Sequence, residues 1–182
     1  YTALGDKAVY DVKAGMGTMT GRDLKIIMDK NLMTAQDKIE FFNHENRLTA
    51  SGKATVTRDG DIPTANKLSA YFIKDASGTL IVGKITAEGH VALKTSKETA
   101  TGDSGVYDVP SQKAALTGKV NISQGENALE GTRADVDMAT GMSQLSGTGN
   151  AETNGRVKGV FYPKSLPSKT KAQPSKTEAQ TQ

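Results

Sequence analysis

The 182-residue sequence contains no cysteine, which excludes disulfide staples and thiolate metal sites. It contains no tryptophan, and its five tyrosines and four phenylalanines are too few for an aromatic platform that stacks sugars or bases. Histidine occurs twice, as His44 and His90. Apolar runs are short: Tyr71-Phe72-Ile73 and Leu80-Ile81-Val82 have three members, far below the roughly 18–20 residues of a membrane helix. The formal charge of +3 does not imply a nucleic-acid partner, because the excess is local. Residues 1–162 hold 19 basic and 19 acidic side chains. The surplus lies in residues 163–182, where Lys164, Lys169, Lys171 and Lys176 face one acid, Glu178. That segment has three prolines and a single large apolar residue, Leu166, so it reads as a disordered basic tail behind one folded domain, 1–162.

Within the domain, apolar and polar residues alternate over short segments bounded by Gly, Asn, Asp and Ser, the pattern of half-buried strands. Leu48, Ala50, Gly52, Ala54 and Val56 share one face; so do Ile85, Ala87, Gly89, Val91 and Leu93, and Leu116, Gly118, Val120 and Ile122. Shorter strands fit Ile39/Phe41, Leu68/Ala70/Phe72, Val106 with Asp108, and Ala134/Val136/Met138. Residues 33–42 could pass for a helix, but their neighbours are strands and a strand is expected there too. The fold class is all-β.

The sequence repeats itself. Residues 2–21 align without gaps to residues 99–118, with ten of twenty positions identical, including Val-Tyr-Asp-Val and a closing Thr-Gly. A looser unit, an apolar residue, Thr or Ser, a small residue and Gly before an alternating strand, recurs at Gly21, Gly52, Gly89, Gly118 and Gly147. Units that each expose an apolar face must stack to bury it. A mid-strand glycine marks either a bend that curves the sheet or the end of a strand. Bent strands could build a sandwich, a barrel or an open V.

Motifs of catalysis are incomplete. Gly102-Asp103-Ser104-Gly105 looks like a serine-protease nucleophile segment, yet the matching repeat carries Gly5-Asp6-Lys7-Ala8, and His90 falls on a polar face. Asn43-His44-Glu45-Asn46 reads as a hairpin turn, Asp59-Gly60-Asp61 as a tight turn rather than a calcium loop. Gly15-x-Gly17 and Gly147-x-Gly149 lack the strand and helix of a dinucleotide site. Asp11 and Asp108, in the two Val-Tyr-Asp-Val copies, read as turn openers rather than paired catalytic carboxylates. A non-enzymatic protein with no metal and no cofactor is expected, so directional work would fall to other proteins.

Residues 87–91, 100–108, 116–120 and 127–141 follow an A-x-G-x-V, A-x-G-x-x-x-x-Y-D, Φ-T-G-x-V and N-x-L-x-G-x-R-x-x-x-D…T-G order, and 155–163 supplies a matching terminus. In these residues the chain resembles the OstA-like domain family, in the form of the lipopolysaccharide-transport bridge proteins of α-proteobacteria. The match spans about residues 68–163; Thr132 stands where the family often has Asp. The resemblance implies an open β-jellyroll, a folded-over antiparallel sheet stack whose interior shields lipid A acyl chains, and a periplasmic location with a signal peptide removed. It also implies lipopolysaccharide as partner, and edge-strand pairing with LptC-like and LptD-like proteins or head-to-tail with further copies. The candidate lining is Ile39, Phe41, Leu68, Phe72, Ile85, Val91, Leu93, Val106, Leu116, Val120, Ile122 and Val136. Two alternatives remain open: a structural or adhesive β-repeat protein in which these residues form a closed core, and a related LptC-type or LptD-type domain.

Overall fold

The computed structural model describes residues 2–28, 31–57, 62–95, 98–140, 142–147 and 156–160. The Asp59-Gly60-Asp61 turn and the tail expected at 163–182 lie outside them. The described residues form one antiparallel sheet and no helix. Its first strands are short: β1 (Thr2–Leu4), β2 (Lys7–Asp11), β3 (Met16–Thr20), β4 (Leu24–Met28), β5 (Asn31–Ala35) and β6 (Lys38–Phe42). Six long strands follow: β7 (Arg47–Thr57), β8 (Ile62–Lys74), β9 (Leu80–Lys94), β10 (Thr99–Asp108), β11 (Lys113–Gln124) and β12 (Asn127–Asp137). Two short ones complete the described strands, β13 (Met142–Ser146) and β14 (Lys158–Val160). The segment 33–42 is therefore strand, broken at a corner.

The sheet forks at both ends. Residues 47–51 of β7 pair with β6, and through it β3 and β2; residues 55–57 pair with β5, then β4 and β1. Likewise residues 133–137 of β12 pair with β13, and residues 128–130 with β14. Each long strand from β7 to β12 thus crosses both layers of a folded-over sheet, bending in its middle. The layers share one apolar cluster, from Leu24, Ile26 and Met33 in one to Ile39, Leu48 and Leu68 in the other. This is an open β-jellyroll.

The bends come in two kinds, and the kind decides which face a residue takes. Where the strand carries Gly52, Gly89 or Gly118, three residues separate the inward side chains (Ala50 and Ala54, Ala87 and Val91, Leu116 and Val120), so the apolar alternation runs on unbroken. In the neighbouring strands only two residues intervene, as between Ala65 and Leu68 or Gly102 and Gly105, so the alternation changes parity. The ladder register shifts at these places.

The repeat explains the corner chemistry. Gly21 and Gly118 occupy matching positions at φ +126 and +101, a region that costs a side-chain-bearing residue roughly 1–2 kcal/mol. A Cβ on Gly21 would lie 2.5 Å from Asp6 Cβ, and one on Gly118 would strike Asp103. Those two aspartates then do the same work: Asp6 Oδ2 accepts from the Arg22 backbone N–H at 3.0 Å, Asp103 Oδ2 from that of Lys119 at 3.2 Å. Gly52 meets Asp37 and Gly89 meets Asn66 in the same way. Four of the five marker glycines, Gly21, Gly52, Gly89 and Gly118, are therefore bends, each fitted against an acid or amide at the bend of the neighbouring strand.

One inward row crosses seven strands: Ile39, Ala50, Leu68, Ala87, Gly105, Leu116 and Ala134, each directly opposite the next. All are buried, and burying a side chain such as Leu68 is worth about 1.5–3 kcal/mol. Polar residues fill the other face. There Thr49 and Ser69 share a 3.0 Å hydroxyl contact, Arg47 stacks on Phe42 at 3.9 Å, and Lys84 lies over Tyr71 at 4.6 Å. Asp11 and Asp108 open turns, as expected: their Oδ1 atoms accept from the N–H groups of Ala14 and Ser111, both at 2.9 Å.

Candidate apolar groove

An apolar cavity of about 540 Å³ opens at the N-terminal end of the jellyroll, within the range of roughly 300–1,000 Å³ typical of small-ligand sites. Strands of both layers line it. Ala3 of β1 and Ile26 of β4 come from one; Ala8, Val9 and Tyr10 of β2, Met19 of β3 and Ile39 and Phe41 of β6 come from the other. Leu48, Phe72 and Leu80 complete the wall, and Asn46 of the β6–β7 turn stands among them. Among the described residues that line it there is no carboxylate and no cation.

The two copies of the repeat show why the cavity lies here. Small inward residues occupy the same places in both: Ala3, Ala8 and Gly17 in the first, Ala100, Gly105 and Ala114 in the second. In the second copy β9 lies alongside β10 and fills the room; a Cβ on Gly105 would already lie 3.1 Å from Leu116 Cδ2 and 3.5 Å from Val91 Cγ1. In the first copy the equivalent edge, β1 and β2, has no strand beyond it among the described residues. Tyr107 is accordingly half-buried beside Ile85, whereas its counterpart Tyr10 is 55% exposed. The same residues close a core in one copy and line an open groove in the other.

Three of the twelve sequence candidates line the cavity: Ile39, Phe41 and Phe72. Leu68, Val91, Leu116 and Val120 sit in the buried cluster, with Leu93 and Ile122 packed against it. Ile85 and Val136 are half-buried on inward rows, opposite Ala70 and Ala114. Val106 is placed otherwise. The two-residue bend at Asp103-Ser104 turns Gly105 and Tyr107 inward and leaves Val106 on the polar face, 47% exposed. Ala3, Ala8, Val9, Tyr10 and Met19 were not among the candidates, although the repeat marks all of them.

Outside the groove, polar groups serve the fold. Ser104 Oγ is 2.7 Å from Thr117 Oγ1 across the ladder, and His90 Nδ1 lies 3.0 Å from Asn66 Nδ2 at a corner. Among the described residues no three potential metal ligands cluster. At the groove rim Arg47 Nε donates to Glu45 Oε2 at 2.7 Å, which holds the Glu45 carboxyl below its usual range. The turn carboxylates Asp75, Asp108 and Asp137 are also held low, first by hydrogen bonds from Ser77, Ser111 and Thr140 respectively.

Comparison with known proteins agrees with this architecture. An uncharacterised protein of Rhizobium meliloti is 27% identical over 147 residues, covering 78% of this chain and 76% of that protein. The crystal structure of LptH from Pseudomonas aeruginosa, described as the LptA-homologous periplasmic component of the lipopolysaccharide transport device, superposes with a TM-score of 0.60. That match covers 73% of this chain and 95% of LptH at 17% identity, and it establishes the shared fold. The sequence profile described as LptA/(LptD N-terminal domain) LPS transport protein matches residues 35–142, more than half of the chain. The open jellyroll, its apolar interior and this match together assign the chain to the LptA/LptD N-terminal domain family of lipopolysaccharide transport proteins.

Proposed function

We propose that this protein is a non-enzymatic periplasmic carrier that shields the acyl chains of lipopolysaccharide in the N-terminal groove during transport to the outer membrane. The observation that carries the proposal is the groove itself: an uncharged cavity of about 540 Å³ between two apolar layers, open at a sheet edge, in a member of a lipopolysaccharide transport family. Each methylene taken from water is worth about 0.8 kcal/mol, and apolar walls of aliphatic and aromatic side chains supply this without a charged contact that would hold the lipid fast. Ile39, Phe41 and Phe72 touch the chains in this reading. The buried candidates, Leu68 and Val120 among them, hold the layers together behind them.

The bare edges suggest how carriers connect. A strand added to β1 and β2 would take the place that β9 takes beside β10, covering Tyr10 as β9 covers Tyr107 and extending the groove into the next molecule. Edges of LptC-like and LptD-like proteins, or β13 and β14 of a second copy, are the proposed donors. A photo-crosslinking residue at Phe41 or Phe72 is expected to capture lipopolysaccharide in cells, while one at Val106 is not. Labelling from Val106 alone would reject the groove. A closed-core adhesive protein is the reading to which that result would point.

A further inference from the structure

The bend of the first repeat carries a second, open cleft of about 610 Å³, whose lining mixes apolar Leu24, Leu32 and Ala35 with charged and polar side chains. Its polar groups come from the Arg22-Asp23 corner between β3 and β4, the outward residues Lys25, Thr34 and Thr55 of β4, β5 and β7, and Gln36 and Lys53 near adjoining corners. Lys25 stands directly opposite Thr34, and Thr34 opposite Thr55, so an ammonium and two hydroxyls form one row. Three cations thus meet a single carboxylate, Asp23. Arg22 is already tied to Asp6 at 3.3 Å. Lys25 and Lys53 have no ion-pair partner among the described residues, unlike Lys38, Lys67 and Lys158, which reach Glu40, Glu88 and Glu130.

The second copy serves as an internal control. There Asn121 stands at the place of Lys25, and opposite it Glu130 stands at the place of Thr34. The corner is also one residue shorter, with no counterpart of Asp23: Leu116 and Val120 flank three residues, Met19 and Leu24 four. The second corner keeps a cation, Lys119, at the place of Arg22, but forms without one at the place of Lys25 and without the extra residue, so neither of these is needed to build a corner.

Two ammonium groups with no ion-pair partner among the described residues, beside the Thr34 hydroxyl and a Thr55 hydroxyl that also reaches Lys53 O and Thr64 Oγ1, suit a phosphate monoester, which carries about −1.5 to −2 charges near neutral pH and three strong acceptor oxygens. The cavity exceeds what a bare phosphate fills, and the remaining wall, with its hydroxyls and the Gln36 amide, suits a hydroxylated organic part. We propose that this cleft binds a phosphorylated sugar, with the phosphate between Lys25 and Lys53 and the sugar hydroxyls against Thr34, Thr55 and Gln36. The site lies apart from the groove and does not depend on acyl-chain binding.

The test is a two-dimensional NMR titration of the full chain with glucose 1-phosphate, inorganic phosphate and glucose at constant ionic strength. Saturable shifts at Lys25, Thr34, Lys53 and Thr55 are expected with glucose 1-phosphate, tighter than with either other probe. Lys25→Gln and Lys53→Gln should each weaken binding on the order of fivefold, as loss of one exposed charge contact does. Lys119→Gln, at the matching corner of the second copy, should leave it unchanged. The proposal is overturned by non-saturable shifts, or by an equal loss with Lys119→Gln, which would reveal net charge alone. Equal affinity for inorganic phosphate or for glucose would overturn it too, by removing the sugar or the phosphate from recognition. Glucose 1-phosphate has no acyl chain, so none of these results bears on the groove.

Discussion

Gly17 offers a way to separate lipid binding from folding. It lies on β3 between Tyr10 of β2 and Phe41 of β6 and lines the groove. Its backbone is ordinary extended strand, and an added Cβ would meet only Tyr10 Cδ2, at 3.4 Å. A Cβ therefore fits without backbone strain, and replacing a mid-strand glycine should stabilise the fold by roughly 0.5–1 kcal/mol. The four side-chain carbons of a leucine, however, would occupy space that a ligand's chain needs. Displacing about four methylenes at ~0.8 kcal/mol each removes about 3 kcal/mol of binding. That corresponds to a rise in Kd of roughly 200-fold. The assay is fluorescence titration with dansylated undecanoic acid, alongside thermal unfolding, with Val106→Ala on the polar face as the control. Gly17→Leu should lose affinity at an unchanged or higher Tm, and Val106→Ala should keep it. An unchanged Kd for Gly17→Leu would refute the groove as the acyl site.

Leu68→Ala, at the centre of the inward row and 1% exposed, should cost about 2–5 kcal/mol in urea unfolding, whereas Phe41→Ala, 39% exposed, should cost less than half as much. Equal losses would mean that Phe41 is core rather than groove wall. Gly118→Ala should lose more stability than the roughly 1–2 kcal/mol of left-handed backbone alone, because its Cβ also strikes Asp103. Gly125→Ala, at φ +59 with nothing within 4 Å, should lose only the backbone part, and the same denaturant titration compares the two. Acid should act through the turns. The folded pKa values of Asp75, Asp108 and Asp137 are depressed, so their contribution is complete above the unfolded value near ~3.9 and is lost as pH falls through the folded ones. Ser111→Ala should raise the Asp108 pKa towards its ordinary value and flatten the fall of Tm between pH 4 and pH 2; carboxyl NMR titration with no upward shift would contradict this.

The strands were legible wherever a bend keeps parity. Leu48 to Val56, Ile85 to Leu93 and Leu116 to Ile122 each read as one face because the Gly52, Gly89 and Gly118 bends insert an odd number of residues between inward side chains. Val106 reads inward because it is apolar, yet Asp103-Ser104 shifts the alternation by one, and one residue in a strand exchanges faces. Residues 62–67 went unread as strand for the same reason, since the bend at Asn66-Lys67 hides their continuity with Leu68. The groove was hidden more deeply. Ala3, Ala8 and Gly17 have close counterparts in Ala100, Gly105 and Ala114, so local sequence cannot distinguish wall from core. The difference is made by β9, a strand that lies beside one copy and has no equivalent beside the other among the described residues.

The pairing of each bend glycine with an acid or amide at the bend of the neighbouring strand also restricts how such a chain can lengthen. Gly21 needs Asp6, Gly52 needs Asp37, Gly89 needs Asn66 and Gly118 needs Asp103, so a hairpin is the smallest self-sufficient piece. Gaining or losing a single bent strand would leave a glycine without its counterpart or an aspartate facing a Cβ. It would also reverse the direction of every strand that follows. Duplication in whole hairpins avoids both faults, and an unclosed sheet sets no ceiling on how many can be added. Evolution could therefore tune the span of this protein in steps of one hairpin while leaving each corner as it was.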